Sequence, residues 1–340
     1  MSKLRRLLTT ALILAGCGLG YLSASTQSPK SASAAPTSKT YIYKKVGTCD
    51  IKADVYRLPG NEVRPGILWI HGGALIFGNR EDVKDHQLRR YLDAGYVVVS
   101  IDYRLAPETN LPAILDDLRD AYQWMRAKGP ELFSIDPERI AVVGHSAGGY
   151  LTLVAGFYLQ PRPRALVSFY GYGDISGDWT IKPDRHYAKM DRIEKEDAYK
   201  PIGENVLSES PIFPRVIFYN YCRQNGLWTN EVTGLDVAKE PEQLAKYCPI
   251  RHVTKDYPPT LLLHGDSDSD VPVEESKKMA SALKQQHVPH KLIVMKNYDH
   301  LFDVFPEGFP PKEKPKELKD PKVIAAFDEV VAFLRKHLGP

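Results

Sequence analysis

Six short apolar runs recur along this chain, and the first five end abruptly beside Gly, Asp, His or Tyr. They are Gly66-Ile67-Leu68-Trp69-Ile70, Tyr96-Val97-Val98-Val99-Ser100-Ile101, Ile140-Ala141-Val142-Val143, Ala165-Leu166-Val167-Ser168-Phe169, Thr260-Leu261-Leu262-Leu263 and Lys291-Leu292-Ile293-Val294-Met295. A strand that is apolar on both sides must be covered on both sides, so such runs read as neighbours in a mostly parallel sheet. Stretches with helical spacing lie between or beyond them at 85–94, 111–128, 274–286 and 322–337. The second of these repeats Ile114, Leu115, Leu118, Tyr122 and Met125 on one face, with Gly129-Pro130 as its expected stop. The predicted fold is therefore α/β, with helices on both faces of the sheet. Ahead of the first run, Tyr41-Ile42-Tyr43 and the alternating residues 50–56, closed by Pro59-Gly60, read as an antiparallel edge hairpin. The chain has 340 residues, 43% of them hydrophobic, which suits a single α/β unit.

Residues 173–257 break this rhythm. They are rich in aromatics, proline and charge and show no regular alternation. So long a segment between two sheet strands needs structure of its own. It reads as a cap or lid over the strand ends, helical in part at 241–247, the alternative being a surface insertion without a role. Trp179, Trp228 and the neighbouring tyrosines would line a ligand site or form the cap's own core.

The N-terminus carries a different signal. Lys3, Arg5 and Arg6 precede an apolar stretch at 7–15, and Leu14-Ala15-Gly16-Cys17 follows. This is the layout of a secretory leader, too short for a convincing membrane span. Leu-Ala-Gly-Cys resembles a bacterial lipobox, which implies cleavage after residue 16, acylation of Cys17 and lipid anchoring on the outer side of a cell-envelope membrane. The alternative is a soluble secreted or periplasmic protein cut later, within Ser31-Ala32-Ser33-Ala34-Ala35. Residues 17–40, rich in Ser, Ala, Thr and Pro, read as a flexible tether, leaving 41–340 as the folded domain. Removal of residues 1–16 takes three basic groups and leaves Lys+Arg equal to Asp+Glu at 42. A near-neutral protein without a basic stripe is not expected to bind nucleic acid. In an oxidising compartment Cys49, Cys222 and Cys248 cannot all pair internally, and Cys222 with Cys248 is the preferred bridge because both fall in the irregular segment.

The third run opens directly into Gly144-His145-Ser146-Ala147-Gly148, followed by a helix-compatible stretch. Strand, sharp turn and helix around G-x-S-x-G is the setting of a nucleophile elbow, in which a tight turn lifts the serine hydroxyl clear of its own backbone. A serine nucleophile needs a base, an orienting acid and donors for an oxyanion. After the fifth run come His264-Gly265-Asp266-Ser267-Asp268-Ser269-Asp270-Val271-Pro272, and after the sixth Lys296-Asn297-Tyr298-Asp299-His300. Loops at strand ends bring acid and base to one edge, His300 is the best placed base, and spacing does not choose among Asp266, Asp268 and Asp270. The alternating acids do not make a calcium loop, since that loop wants Gly sixth and Glu twelfth, where Val271 and Lys277 stand. His71-Gly72-Gly73 ends the first run, and its backbone N–H groups, with that of Ala147, are the candidate oxyanion donors. No metal or organic cofactor is required by this chemistry.

Together with Asp102-Tyr103-Arg104-Leu105-Ala106-Pro107-Glu108, these stretches resemble the α/β-hydrolase fold, and more narrowly hormone-sensitive-lipase-like and related bacterial carboxylesterases. The resemblance implies a small-molecule ester substrate of short to medium acyl chain and assigns the acid to Asp268. It also makes Tyr103-Arg104-Leu105-Ala106-Pro107 a structural turn beneath the site. Two departures stand out: many relatives carry Gly before the catalytic His, where this chain has Asp299, and they often build the cap from N-terminal helices, where this chain has the insertion at 173–257. Amide or peptide hydrolysis, and a non-catalytic binding role for the same fold, are the alternatives; oligomeric state is not legible.

Overall fold

A computed structural model of the protein describes residues 34–304 and 318–339. The apolar runs become strands of one eight-stranded sheet. Its members are β1 (Thr37–Val46), β2 (Cys49–Arg57), β3 (Arg64–Ile70), β4 (Val97–Ile101), β5 (Ile135–His145), β6 (Ala165–Phe169), β7 (Thr260–Gly265) and β8 (His290–Met295). They lie in the order β1-β2-β4-β3-β5-β6-β7-β8. β1 and β2 form the edge hairpin, β2 runs antiparallel to β4, and every later pairing is parallel.

Side-chain alternation divides the core in two. Leu68, Ile70 and Val142 face one side, where α2 (Leu111–Phe133) and α3 (Ala147–Tyr158) pack. Ile67, Trp69 and Val143 face the other, against α1 (Asp85–Asp93). The interior strands are buried along almost their whole length, as continuous apolar runs require, whereas β8 at the edge is only partly covered.

Three expectations are corrected. β1 begins at Thr37, inside the segment expected to be tether, because Thr37 through Ile42 find partners on β2 from Arg57 to Lys52. Residues 1–33, with the leader and Cys17, lie outside the described residues. Secondly, α2 does not stop at Gly129-Pro130 but runs to Phe133. Phe133 is buried and packs on Trp124 at 5.6 Å, so burial of the last turn offsets the missing proline N–H. Finally, Cys49, Cys222 and Cys248 are all free thiols. The expected Cys222–Cys248 bridge is not formed: Cys248 Sγ turns to Asp174 Oδ1 and the Leu244 carbonyl, while Cys222 is buried on its own helix.

The insertion at 173–257 holds α4 (Asp178–Ile181), α5 (Lys195–Tyr199), α6 (Ile212–Asn225), α7 (Trp228–Thr233) and α8 (Pro241–Ala245); α9 (Glu274–Gln285) and α10 (Pro321–Leu338) then return to the sheet faces. Trp179 and Trp228 belong to its own core, with ring centroids 5.0 and 5.7 Å from Tyr172. One of the side chains that tie this layer down is buried together with its partner. Arg215 on α6 donates to both oxygens of Glu108, at 2.8 and 2.7 Å, and to the carbonyls of Ile76 and Ala106. Both partners are buried, so removing one strands the other's charge.

Arg215→Met is expected to lower unfolding stability by about 3–5 kcal/mol. Denaturant titration checks this, and Glu108→Gln in the same chain should recover part of the loss by removing the stranded charge.

Candidate active site

Two glycines make the turn after β5 possible. A Cβ on Gly148 would run into the backbone carbonyls of Ile70 and His71, and one on Gly144 into the Gly148 carbonyl. Between them Ser146 takes φ 53° and ψ −116°, a conformation that costs a non-glycine residue of order 1–3 kcal/mol and that persists only when its surroundings hold it. They do: Ser146 N donates to the Phe169 carbonyl at the end of β6 (2.9 Å), and its carbonyl accepts from Tyr150 in α3 (2.9 Å).

Because β3, β5, β7 and β8 are parallel, their C-terminal ends share one edge, the edge at which open α/β sheets bind ligands. The loops leaving them bring the expected residues together. Ser146 Oγ lies 3.0 Å from His300 Nε2, and His300 Nδ1 lies 2.7 Å from Asp268 Oδ2. A carboxylate facing Nδ1 keeps the proton there, so the lone pair at Nε2 faces the serine hydroxyl. Burial disfavours a charged imidazole, but the charge and hydrogen bond of Asp268, with the charges of Asp270 and Asp299, outweigh it and raise the His300 pKa above its ordinary value. Burial likewise opposes ionisation of Asp268; His300 and His264 overcome that and hold its carboxyl well below the usual range.

The three acids after β7 are separated by what they touch. Asp266 is exposed and accepts from Asn297 N at 2.6 Å. Asp268 is buried: Oδ1 accepts from the N–H groups of Asp270 and Val271 at 2.9 and 2.8 Å, and Oδ2 faces His300 and, at 3.2 Å, His264 Nε2. Asp270 points into the cavity. Gly72 and Gly73 line that cavity beside Ser146 and His300; its volume is about 180 Å³. Ala147 is the first residue of α3, where a helix leaves its N–H groups without intrahelical acceptors. A larger depression of about 550 Å³, lined by Arg192, Glu194, Lys200 and Pro214, holds no serine, cysteine or histidine.

Asp299, the residue before His300, joins the two loops of the site. Its Oδ1 accepts from Ser269 N (2.7 Å), Ser269 Oγ (2.9 Å) and His300 N (2.7 Å), which clasps the acid loop to the base loop. His145, inside the elbow, is held from below by a buried carboxylate: Nδ1 is 2.9 Å from Asp303 Oδ2, and Tyr170 donates to Asp303 Oδ1 at 2.5 Å. Neither role was visible in the sequence, since both depend on loops meeting across about thirty or more residues. The segment from Asp102 to Glu108 lies beneath the site as a structural turn: Asp102 pairs with Arg80, Arg104 with Asp117 and Glu108 with Arg215.

Among known proteins, the chain is 28% identical over 350 residues to part of a non-reducing polyketide synthase of Penicillium rubens, covering 88% of this chain but only 14% of that protein. An α/β hydrolase superfamily protein from Enterococcus faecalis superposes with a TM-score of 0.67 at 22% identity, covering 88% of this chain and 99% of that one. A thermophilic carboxylesterase cloned from a metagenomic library gives 0.62 at 23% identity, over 91% and 90% of the two chains. A family model described as the alpha/beta hydrolase fold matches residues 67–304, the span from β3 to the loop that carries His300, and the chain belongs to that family.

Proposed function

We propose that the protein hydrolyses carboxylic esters through an acyl-enzyme formed on Ser146. The observation that carries this reading is the strained Ser146 with its hydroxyl 3.0 Å from the unprotonated face of His300, itself oriented by Asp268. His300 Nε2 takes the hydroxyl proton as Oγ attacks the ester carbonyl, and the imidazolium that forms is steadied by Asp268. The tetrahedral oxyanion is received by N–H groups of Gly72, Gly73 and Ala147, each contributing about 3 kcal/mol in comparable sites. Collapse of the intermediate breaks the ester C–O bond, and His300 returns its proton to the leaving alcohol. Water, activated by the same imidazole, then releases the acid and restores Ser146. Similarity to a protein described as a carboxylesterase supports the reading. A cavity of about 180 Å³ is smaller than the sites that enclose drug-sized ligands, about 300–1,000 Å³, which supports short acyl groups.

With p-nitrophenyl esters from acetyl to palmitoyl, we expect a pre-steady-state burst and a steep loss of turnover toward the long chains. Ser146→Ala should abolish the burst and lower kcat by about 10⁴-fold or more. Turnover unchanged in that variant would overturn the reading.

His300 must be neutral to accept a proton, so kcat/KM should rise with pH as the imidazole deprotonates. Because its carboxylate neighbours raise its pKa, the midpoint of that rise is expected above the ordinary value of about 6.5. A pH–rate profile in buffers of constant ionic strength checks the sign.

We also propose that the Leu-Ala-Gly-Cys leader places the enzyme on the outer face of a cell-envelope membrane through Cys17. Cys17→Ala should move activity from the membrane to the soluble or unprocessed fraction and abolish labelling by a radioactive fatty acid. Unchanged membrane retention and labelling would exclude the anchor.

A further inference from the structure

Asp270 lines the cavity, as Asp82 does, and beyond its charge beside His300 it takes no part in the proton transfers above. Its side chain is held in an unusual way. Oδ1 accepts from Tyr187 OH at 2.9 Å, Tyr219 OH at 2.5 Å and Arg223 Nη1 at 2.6 Å, all from the inserted cap. Arg223 also donates to the Asp270 carbonyl at 3.0 Å. Three donors converging on one oxygen fix the carboxylate rotamer and leave Oδ2 as the oxygen turned toward the reacting groups. Oδ2 lies 3.6 Å from His300 Nε2, beyond hydrogen-bond range. The side chain keeps 20% of its exposure and lines the cavity with Ser146 and Gly72.

Neutralising Arg223 does not account for this arrangement. Arg223 is already paired with Asp184 at 2.9 Å and stacked near Tyr187 and Trp179. One oxygen of Asp270 satisfies the cap, and the other is presented next to the nitrogen that returns a proton to the leaving alcohol. The oxygen of that alcohol must lie within about 3 Å of Nε2 when the proton passes. A donor one or two carbons away on the same alcohol then falls within reach of Oδ2, where the bond would be charge-assisted.

We propose, building on the ester-hydrolase reading of Ser146 and His300, that Asp270 is a specificity residue selecting esters whose leaving alcohol carries a hydrogen-bond donor beside the ester oxygen. The donor is a hydroxyl, as in a polyol monoester, or an ammonium, as in an amino-alcohol ester. A carboxylate at the same place is repelled by Asp270.

Five butyrate esters test this: propyl, methoxyethyl, hydroxyethyl, dimethylaminoethyl and carboxymethyl. Ratios of kcat/KM to the propyl ester within one enzyme cancel any change in His300 basicity. In the wild type, the hydroxyethyl or the dimethylaminoethyl ester is expected to exceed the propyl ester by about tenfold or more, and whichever does so tells hydroxyl from ammonium. The methoxyethyl ester, polar but without a donor, should show no gain, and the carboxymethyl ester should be the poorest. In Asp270→Asn the cap donors hold the amide oxygen, so the amide NH₂ takes the place of Oδ2 and an acceptor becomes a donor. The gain should vanish and the carboxymethyl ester should recover. Equal ratios for all five esters in the wild type overturn the proposal without any variant, as does a preference retained unchanged in Asp270→Asn. Absence of any turnover that depends on Ser146 would instead remove the ester-hydrolase reading, and this proposal with it.

Discussion

The close approach of α3 to the end of β3 is the constraint on which the site depends. Gly148 lies against the Ile70 and His71 carbonyls with no room for a Cβ, and Gly144 lies against Gly148. This contact brings the first turn of α3 beside the loop of Gly72 and Gly73, so the serine and both sets of N–H groups are positioned by one packing event. The φ of 53° at Ser146 is a consequence of closing that gap in so few residues. Backbone hydrogen bonds to β6 and within α3 then supply what the strained turn costs.

Around this fixed point, charged groups are arranged in layers. Asp268 accepts two backbone N–H bonds and faces two imidazoles, which makes it an anion well solvated by protein in a place water does not reach. His264 is itself held, with Nδ1 2.7 Å from Ser276 Oγ and Nε2 2.9 Å from the Val271 carbonyl. Asp299 crosses from the base loop to Ser269 and couples the two loops directly. An imidazole held by so many partners has little freedom to leave the serine, and preorganisation of this kind is what charge development in a transition state rewards.

Much of the architecture was legible because its cause is local. Continuous apolar runs such as Val97-Val98-Val99 have one comfortable place, the interior of a covered sheet, and the strands fall there within a few residues of their expected ends. What escaped depends on contacts distant in sequence. α2 passes Gly129-Pro130 because Phe133 is buried by residues elsewhere in the chain. α6 was not foreseen, since Pro214 stands near its start and its buried face, Arg215, Phe218, Tyr219, Cys222 and Arg223, carries two arginines and so does not read as an apolar stripe. Spacing did not separate Asp266, Asp268 and Asp270, and only the resemblance pointed to Asp268: alternate residues of one loop meet solvent, an imidazole and the cavity only once β8 lies beside β7. Glycine before the histidine is unnecessary here, because the backbone at Asp299 is not at positive φ.

The Arg215–Glu108 pair has a consequence for the cavity beside Ser146. A layer whose buried guanidinium is bonded to a carboxylate and to the Ile76 and Ala106 carbonyls cannot swing away without exposing or stranding both charges. The insertion is therefore held against the sheet domain at Arg215, and Ile212 and Tyr219 of the same helix form part of the cavity wall.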